Sequence, residues 1–534
     1  MFAASPPKPR PQSTSKPRLP RRVRWKGQQA YRSPIIFVMC WCVTWSHAQA
    51  PPPAEPPIPI PIAQDGTATK FMDAIEAHMD YVTENSYDQL GTRTTPMWLS
   101  TIDLRSNGLP NPLIPNAPRW NGTLLSAPGA NLYWDQPTLL AAFELSKRTG
   151  CKCYSDAASA YITSFVTACS TQKQTSCIDA RVYYNVKLEQ SVDNTATLAA
   201  CVPYTPAWDT TWAADKTLAR QQIHAFIRSK TVQKFTGDSE NHSQSVATGA
   251  PSLSMENETA LIASLCWLAR QDTRQQESLI QQAISLARLR ISRCNRRTGL
   301  VPTSPKLHDE ANDTSSIAIG AWAKTLFWAA AVTGEMEFQI IAEKSLRAWL
   351  TVGFDARTQL YYQQVACKTG LPVEELAPAN RVAELAASSF QHISIFEYTN
   401  RPAHQSPLRM AEACLSLHAK TGDQLSKEAV ERWVNIIKQQ LPADNMGGGY
   451  ADDYGRAIHF LVRASEVLKN PGYRMLALDI ANQAMEQLYV SKMGMFRSHP
   501  VENRCDSADG PGLLLLALMY LEGNDPTTDS SLQF

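Results

Sequence analysis

Residues 325–350, TLFWAAAVTGEMEFQIIAEKSLRAWL, decide how this chain folds. Leu326 to Val332 is an unbroken apolar run, and beyond it apolar side chains recur at three and four positions, the spacing of one helix face. Thr333-Gly334 then stops the run, because glycine enters the left-handed conformation that ends a helix without a steric cost. A second amphipathic run follows within a few residues. The same plan recurs at 139–165, LLAAFELSKRTGCKCYSDAASAYITSF, at 409–437 and at 459–488, and less regularly at 261–289. Each helical hairpin hides its apolar faces only against neighbouring hairpins, which is the logic of stacked repeats. The segments between hairpins, near 104–134, 170–207, 236–255 and 352–405, are long and uneven, unlike an open solenoid of constant period. Strand-like alternation is scarce. The pattern predicts an all-α fold over 65–525, an (α/α) toroid of six or seven hairpins. Its irregular loops would line a cleft at one end, where binding residues gather.

The flanks differ in composition. Residues 1–34 carry nine Lys/Arg and no acidic residue, and an apolar run of 11 residues, Ile35–Trp45, follows with Ser46-His47-Ala48-Gln49-Ala50 behind it. That is the order of a signal peptide, and 1–50 is expected to be one or to remain as an N-terminal anchor. Residues 51–64, PPPAEPPIPIPIAQ, read as a polyproline spacer, and 526–534 as a tail. Without the basic segment, 42 basic residues face 49 acidic ones, so nothing favours nucleic acid, and a polyanionic ligand needs a local basic patch. The protein is expected to be exported, a monomer, and in contact with a membrane only through its N-terminus. Twelve cysteines in 534 residues are too few for a disulfide scaffold. Among Cys151, Cys153, Cys169, Cys177 and Cys201 pairing stays open, and the one-residue spacing of Cys151 and Cys153 speaks against zinc.

Several motifs stand in order along the chain: DQLGTRTTPMW at 88–98, NLYWDQPTL at 131–139, CVPYTPAW at 201–208, GDSENH at 237–242, YADDYGRAIHF at 450–460, GMFRSHP at 494–500 and RCDSADG at 504–510. Together they resemble the periplasmic pectate lyases, polysaccharide lyase family 2, and related (α/α) toroid proteins. The resemblance implies a loop-lined saccharide cleft and β-elimination on polyuronates. There a divalent cation, calcium or manganese, neutralises the uronate carboxylate while a basic side chain removes the adjacent proton. Carried over position by position, it implies a metal site mostly lost: Arg181 stands where a ligand histidine precedes Tyr183-Tyr184-Asn185, Ala200 where a glutamate ligand is expected, and Asn241 at the catalytic arginine. His242 alone keeps its ligand identity, and one histidine does not hold a divalent cation. A fixed-cation lyase is chemically coherent, with Arg181 as neutraliser and Tyr184 or His242 as base. Arg181 and His242 read equally well as solvated loop residues.

Other candidates stand independently of that comparison. Tyr204 and Trp208 offer faces for sugar rings, though aromatic residues are as often core. Arg456 and His459 fall on one face of one helix. Arg497, His499, Arg504 and Asp506 crowd a short loop and suit either a sugar-acid subsite or an ion-pair network that closes the ring, the second being the simpler reading. A hydrolase would need carboxylates paired across the cleft; Asp135, Asp209, Glu240, Asp452 and Asp453 are available, and nothing in the sequence pairs them. Three functions remain: an enzyme on acidic polysaccharide, an inactive saccharide-binding relative, and a helical-repeat scaffold that binds proteins.

Overall fold

A computed structural model describes residues 71–89, 92–106, 129–170, 176–178, 182–193, 205–233, 253–303, 313–373, 392, 393, 395, 406–441 and 448–523. The sequence assignments for 1–64, 526–534, Arg181, Ala200, Cys201, Tyr204, Glu240, Asn241 and His242 lie outside these residues. Fourteen α-helices are described: α1 (Phe71–Asn85), α2 (Leu132–Thr149), α3 (Cys153–Cys169), α4 (Trp208–Ala214), α5 (Lys216–Gln233), α6 (Met255–Gln271), α7 (Gln276–Ile291), α8 (Ser316–Thr333), α9 (Met336–Val352), α10 (Leu408–Thr421), α11 (Gln424–Gln440), α12 (Ala451–Leu468), α13 (Pro471–Leu488) and α14 (Pro511–Glu522). The even-numbered helices pack on one another in sequence, and α14 returns to α2. The polar join between α4 and α6 is carried by Trp208, whose indole donates to Ser264 Oγ at 2.9 Å. Each odd-numbered helix lies outside an even-numbered one, and α1 covers α14. The described residues therefore form an (α/α) toroid with seven inner and seven outer helices.

The inner helices α6, α8, α10, α12 and α14 are buried over most of their length; α8, Lys324 apart, and α14 are apolar all round, whereas α10 and α12 bury charged residues as well. Helix α8 is long and apolar enough to cross a membrane, but it is enclosed by its neighbours as a core helix. Outer helices keep polar stripes, as in α11, whose inward residues Val430, Trp433, Val434 and Ile437 recur at helical spacing. The three Thr-Gly stops end α2, α8 and α10 as the sequence predicts: Gly150, Gly334 and Gly422 adopt φ of 75°, 80° and 63°. Inner helices approach backbone to backbone at glycine. A Cβ on Gly320 would lie 2.6 Å from Met410 N, and one on Gly455 would lie 2.7 Å from Leu514 N.

Short antiparallel ribbons supplement the helices, which the scarcity of alternation did not foreshadow. Strand β1 (Thr101–Asp103) pairs with β11 (Arg504–Asp506), joining the two ends of the described chain beside the point where α14 meets α2. Strands β2 (Gly129–Ala130), β3 (Val182–Asn185) and β4 (Gln190–Asp193) form a three-stranded sheet. β5 (Asp313–Ser315) pairs with β8 (Gln364–Ala366), β6 (Phe354–Asp355) with β7 (Leu360–Tyr361), and β9 (Tyr489–Val490) with β10 (Met495–Phe496). These strands are two to four residues long, too short to carry a period of their own. Cys151 and Cys153 are joined by a disulfide, while Cys169 and Cys177 are free and buried.

Candidate functional site

Chain order fixes which end of the ring carries the site. Only a few residues separate the C-terminus of each of α2, α4, α6, α8, α10 and α12 from the next outer helix, whereas the long connections all precede inner helices. The N-termini of the inner helices thus share the loop-bearing face. Their unpaired N–H groups and dipoles favour negative charge there.

Below that face, three successive inner helices bring charged side chains together, from Arg409 in the first turn of α10 to Lys324 at the middle of α8 and Arg463 in the C-terminal half of α12. Lys324 comes from α8, Arg409 and Glu412 from α10, and Arg456, His459 and Arg463 from α12. Glu412 ties α10 to α12: its Oε1 lies 2.8 Å from His459 Nδ1, and its Oε2 accepts from Arg463 Nη1 at 2.6 Å. Burial would raise the Glu412 carboxyl, but His459, Arg463 and Lys324 overcome it and hold it below the usual range. Burial pushes the His459 imidazole down to about 4 despite Glu412, so the ring is neutral near pH 7. Lys324 is held well below its ordinary value, first by burial and then by Arg463, Arg409 and Arg456, with Glu412 opposing. Arg456 is 1% exposed, and among the described residues none of its three guanidinium nitrogens has a hydrogen-bond partner. Lys324, Arg409 and Glu412 escaped the sequence reading. A lone lysine within the apolar run AIGAWAKTLFWAAA, and Arg409 three residues before Glu412, were the available signals.

The C-terminal candidates form a separate, internally satisfied network. Arg504 is bound by Glu502 at 2.5 Å, Asp506 at 2.6 Å and Asp509 at 2.9 Å, all buried. Desolvation works against the Arg504 charge, yet these three carboxylates hold its pKa well above the usual value. Burial drives Asp506 up to about 7, with Arg504 opposing. Nearby, Tyr161 donates to Asp135 Oδ2 at 2.5 Å and Ser100 donates to the same oxygen at 2.7 Å. Arg497 Nε donates to Gln487 O, and His499 Nε2 meets Gly448 O at 3.1 Å. On β11 and its flanks beside β1, Arg504 and Asp506 thus take part in a buried ion-pair network, while Arg497 and His499 bond to backbone carbonyls.

The remaining sequence candidates separate. Trp208 is buried, edge-on to Phe226. Tyr184 lies in β3, buried, its hydroxyl pushed up by desolvation and then by Asp88 and Glu189. Neither approaches Arg456 in any described contact. A divalent cation does not fit the Lys324–Arg409–Arg456 group, because guanidinium offers no lone pair and the charges repel it. Among the described residues no set of three His, Cys, Asp or Glu is arranged to hold a metal ion.

No protein-family profile matches the sequence, and no curated protein matches it. Solved structures similar in shape include an inactive variant of an α-1,6-mannanase of Salegentibacter sp. in complex with α-1,6-mannotriose, at 12% identity and TM-score 0.44, covering 85% of this chain and 100% of that one. A D-mannose isomerase aligns at 10% identity and TM-score 0.46 over 85% and 99% of the two chains. An unsaturated glucuronyl hydrolase specific for heparin aligns at 12% identity and TM-score 0.41 over 72% and 97%.

Proposed function

We propose that the protein binds uronate-containing polysaccharide across the loop-bearing face of its ring and acts on it as a lyase by β-elimination. The observation that carries this reading is the convergence of the Arg409 and Arg456 guanidinium groups, from two successive inner helices, on the buried Lys324 amine of a third. Cations fixed beside a uronate carboxylate stabilise the enolate-like transition state that follows loss of the adjacent proton. The resemblance to family 2 pectate lyases supports the same chemistry, with Arg181 as an additional cation and Tyr184 or His242 as candidate base. In this reading 1–50 exports the chain or anchors it, and the folded protein is a monomer. A second reading, binding without cleavage, draws on the replacement of ligand positions by Arg181, Ala200 and Asn241.

The test is the ultraviolet absorbance of unsaturated uronide released from a panel of polyuronates, run with calcium or manganese and again with chelator, beside calorimetric binding to the same polymers. Product that survives chelator and is lost in Arg181→Ala supports the fixed-cation lyase. Product that requires added metal places a working metal site in the loops. Binding without product leaves the inactive relative. Absence of both product and binding rejects the proposal.

A further inference from the structure

Two arginines in the ring are equally buried and differently treated. Arg290, 0% exposed, meets Glu258 at 2.6 Å and donates to Pro302 O and Leu253 O. Arg456, 1% exposed, meets no hydrogen-bond acceptor among the described residues. Glu412 is already held by His459 and Arg463, and Asp452 and Asp453, buried one turn earlier on α12, make no described hydrogen bond or ion pair with Arg456. An isolated buried cation is costly because it gives up its hydration shell, and in natural proteins such charges are paired or bind a ligand. Arginine cannot avoid the cost by losing its proton.

We infer that the Arg456 guanidinium is the receptor for one carboxylate of an acidic saccharide, seated between α8, α10 and α12 with Lys324 beside it. The guanidinium fork presents two parallel N–H donors that match the two oxygens of a carboxylate, and a bidentate pair fixes orientation as well as charge. An anion there would also bring Lys324 back towards its protonated form, since three arginines and burial now oppose that form. Glu412 keeps the group from being purely repulsive by pairing with Arg463, which lies two turns from Arg456 on the same helix. The assignment rests on the saccharide reading for the identity of the ligand, and on the charge balance alone for the existence of an anion site.

The test compares the full chain with Arg456→Met, a substitution of similar length without charge. Binding of trigalacturonate and of its neutral methyl ester is measured by calorimetry, and unfolding in urea is measured without ligand. The wild type is expected to prefer the acid over the ester by at least about tenfold, the range of a charge-assisted bidentate pair. Arg456→Met should abolish that preference and, without ligand, unfold at a higher urea concentration, because an uncompensated charge has been removed. A residue with a merely structural role would give a lower midpoint. Retention of the acid preference in Arg456→Met, or a lower midpoint, overturns the inference while leaving the saccharide reading intact. If the wild type binds neither oligomer, the saccharide reading fails and inorganic sulfate decides the anion site: a rise in melting temperature with sulfate that disappears in Arg456→Met supports it, and an equal rise in both proteins overturns it. Should Arg456→Met yield no folded protein, Arg456→Lys serves instead, since a point charge lacks the fork; a weakened acid preference supports the assignment and an unchanged one overturns it.

Discussion

Arg290→Met gives the sharpest test of the view that buried charge in this ring is either paired or reserved for a ligand. Arg290 stands near the C-terminal end of α7 and reaches the start of α6, where Glu258 is itself buried. Its guanidinium donates to Glu258 Oε2 at 2.6 Å, to Pro302 O at 2.9 Å and to Leu253 O at 2.5 Å. Removing it takes the hydrogen-bonded cation from a buried carboxylate, leaving Arg293 as a weaker neighbour, and from two carbonyls. Breaking one partner out of a buried ion pair costs about 3–5 kcal/mol, most of it from the charge left behind. The carbonyls add to this, though water entering the vacated space offsets part of their loss, so the expected total is about 4 kcal/mol. Urea unfolding followed by tryptophan fluorescence would read it, with the slope compared so that a change in the unfolded state is not mistaken for lost stability. The double variant Glu258→Leu with Arg290→Met should recover most of the loss, since an apolar pair of similar volume replaces an ion pair at little net cost. A loss below about 1 kcal/mol in the single variant, or no recovery in the double one, would refute the reasoning, because the strand of the argument that makes Arg456 anomalous uses the same energetics.

Other outcomes follow from particular contacts. Gly512→Ala should cost about 1–3 kcal/mol, because the new methyl overlaps Thr138 N and sits 2.6 Å from Pro137 C where α14 closes on α2; an unchanged melting profile would mean the closure is loose. His78 is buried with its pKa lowered to about 4, and its Nδ1 accepts from Phe496 N–H at 3.1 Å. The unfolded chain protonates this residue near pH 6.5, so its contribution is fully present above that pH and is lost as pH falls towards 4. Stability measured from pH 7 to pH 4 should therefore fall by up to about 3 kcal/mol more in the wild type than in His78→Gln, and parallel curves would contradict the assignment. Trp208→Phe should lose about 1–2 kcal/mol with the indole bond to Ser264, while affinity for oligouronate stays within about twofold. A larger fall in affinity would return Trp208 to the binding surface.

Much of the architecture is legible in residues that act locally. Thr149-Gly150, Thr333-Gly334 and Thr421-Gly422 mark helix ends because left-handed backbone is cheap only for glycine, and the three glycines adopt it. The period of three and four identifies each helix because one face must leave water. The number of hairpins in the ring is not legible: seven inner helices emerge only because α14 packs on α2 while α1 covers α14, a contact between the ends of the chain. The pairing of β1 with β11 was hidden for the same reason, since its two strands are three residues each and lie about four hundred residues apart.

Site residues divide along the same line. Arg456 and His459 are visible as one helical face, and the crowding of Arg497, His499, Arg504 and Asp506 is visible as charge density. Sequence could not say that Arg504 is held by three carboxylates while Arg456 bonds to none among the described residues, because Glu412 comes from another helix and is already engaged. The sequence by itself determined where helices begin, end and turn, because those are decided by the energies of neighbouring residues. The tertiary structure decided which charges are compensated, because pairing in a buried ring depends on distances between segments that the chain order does not encode.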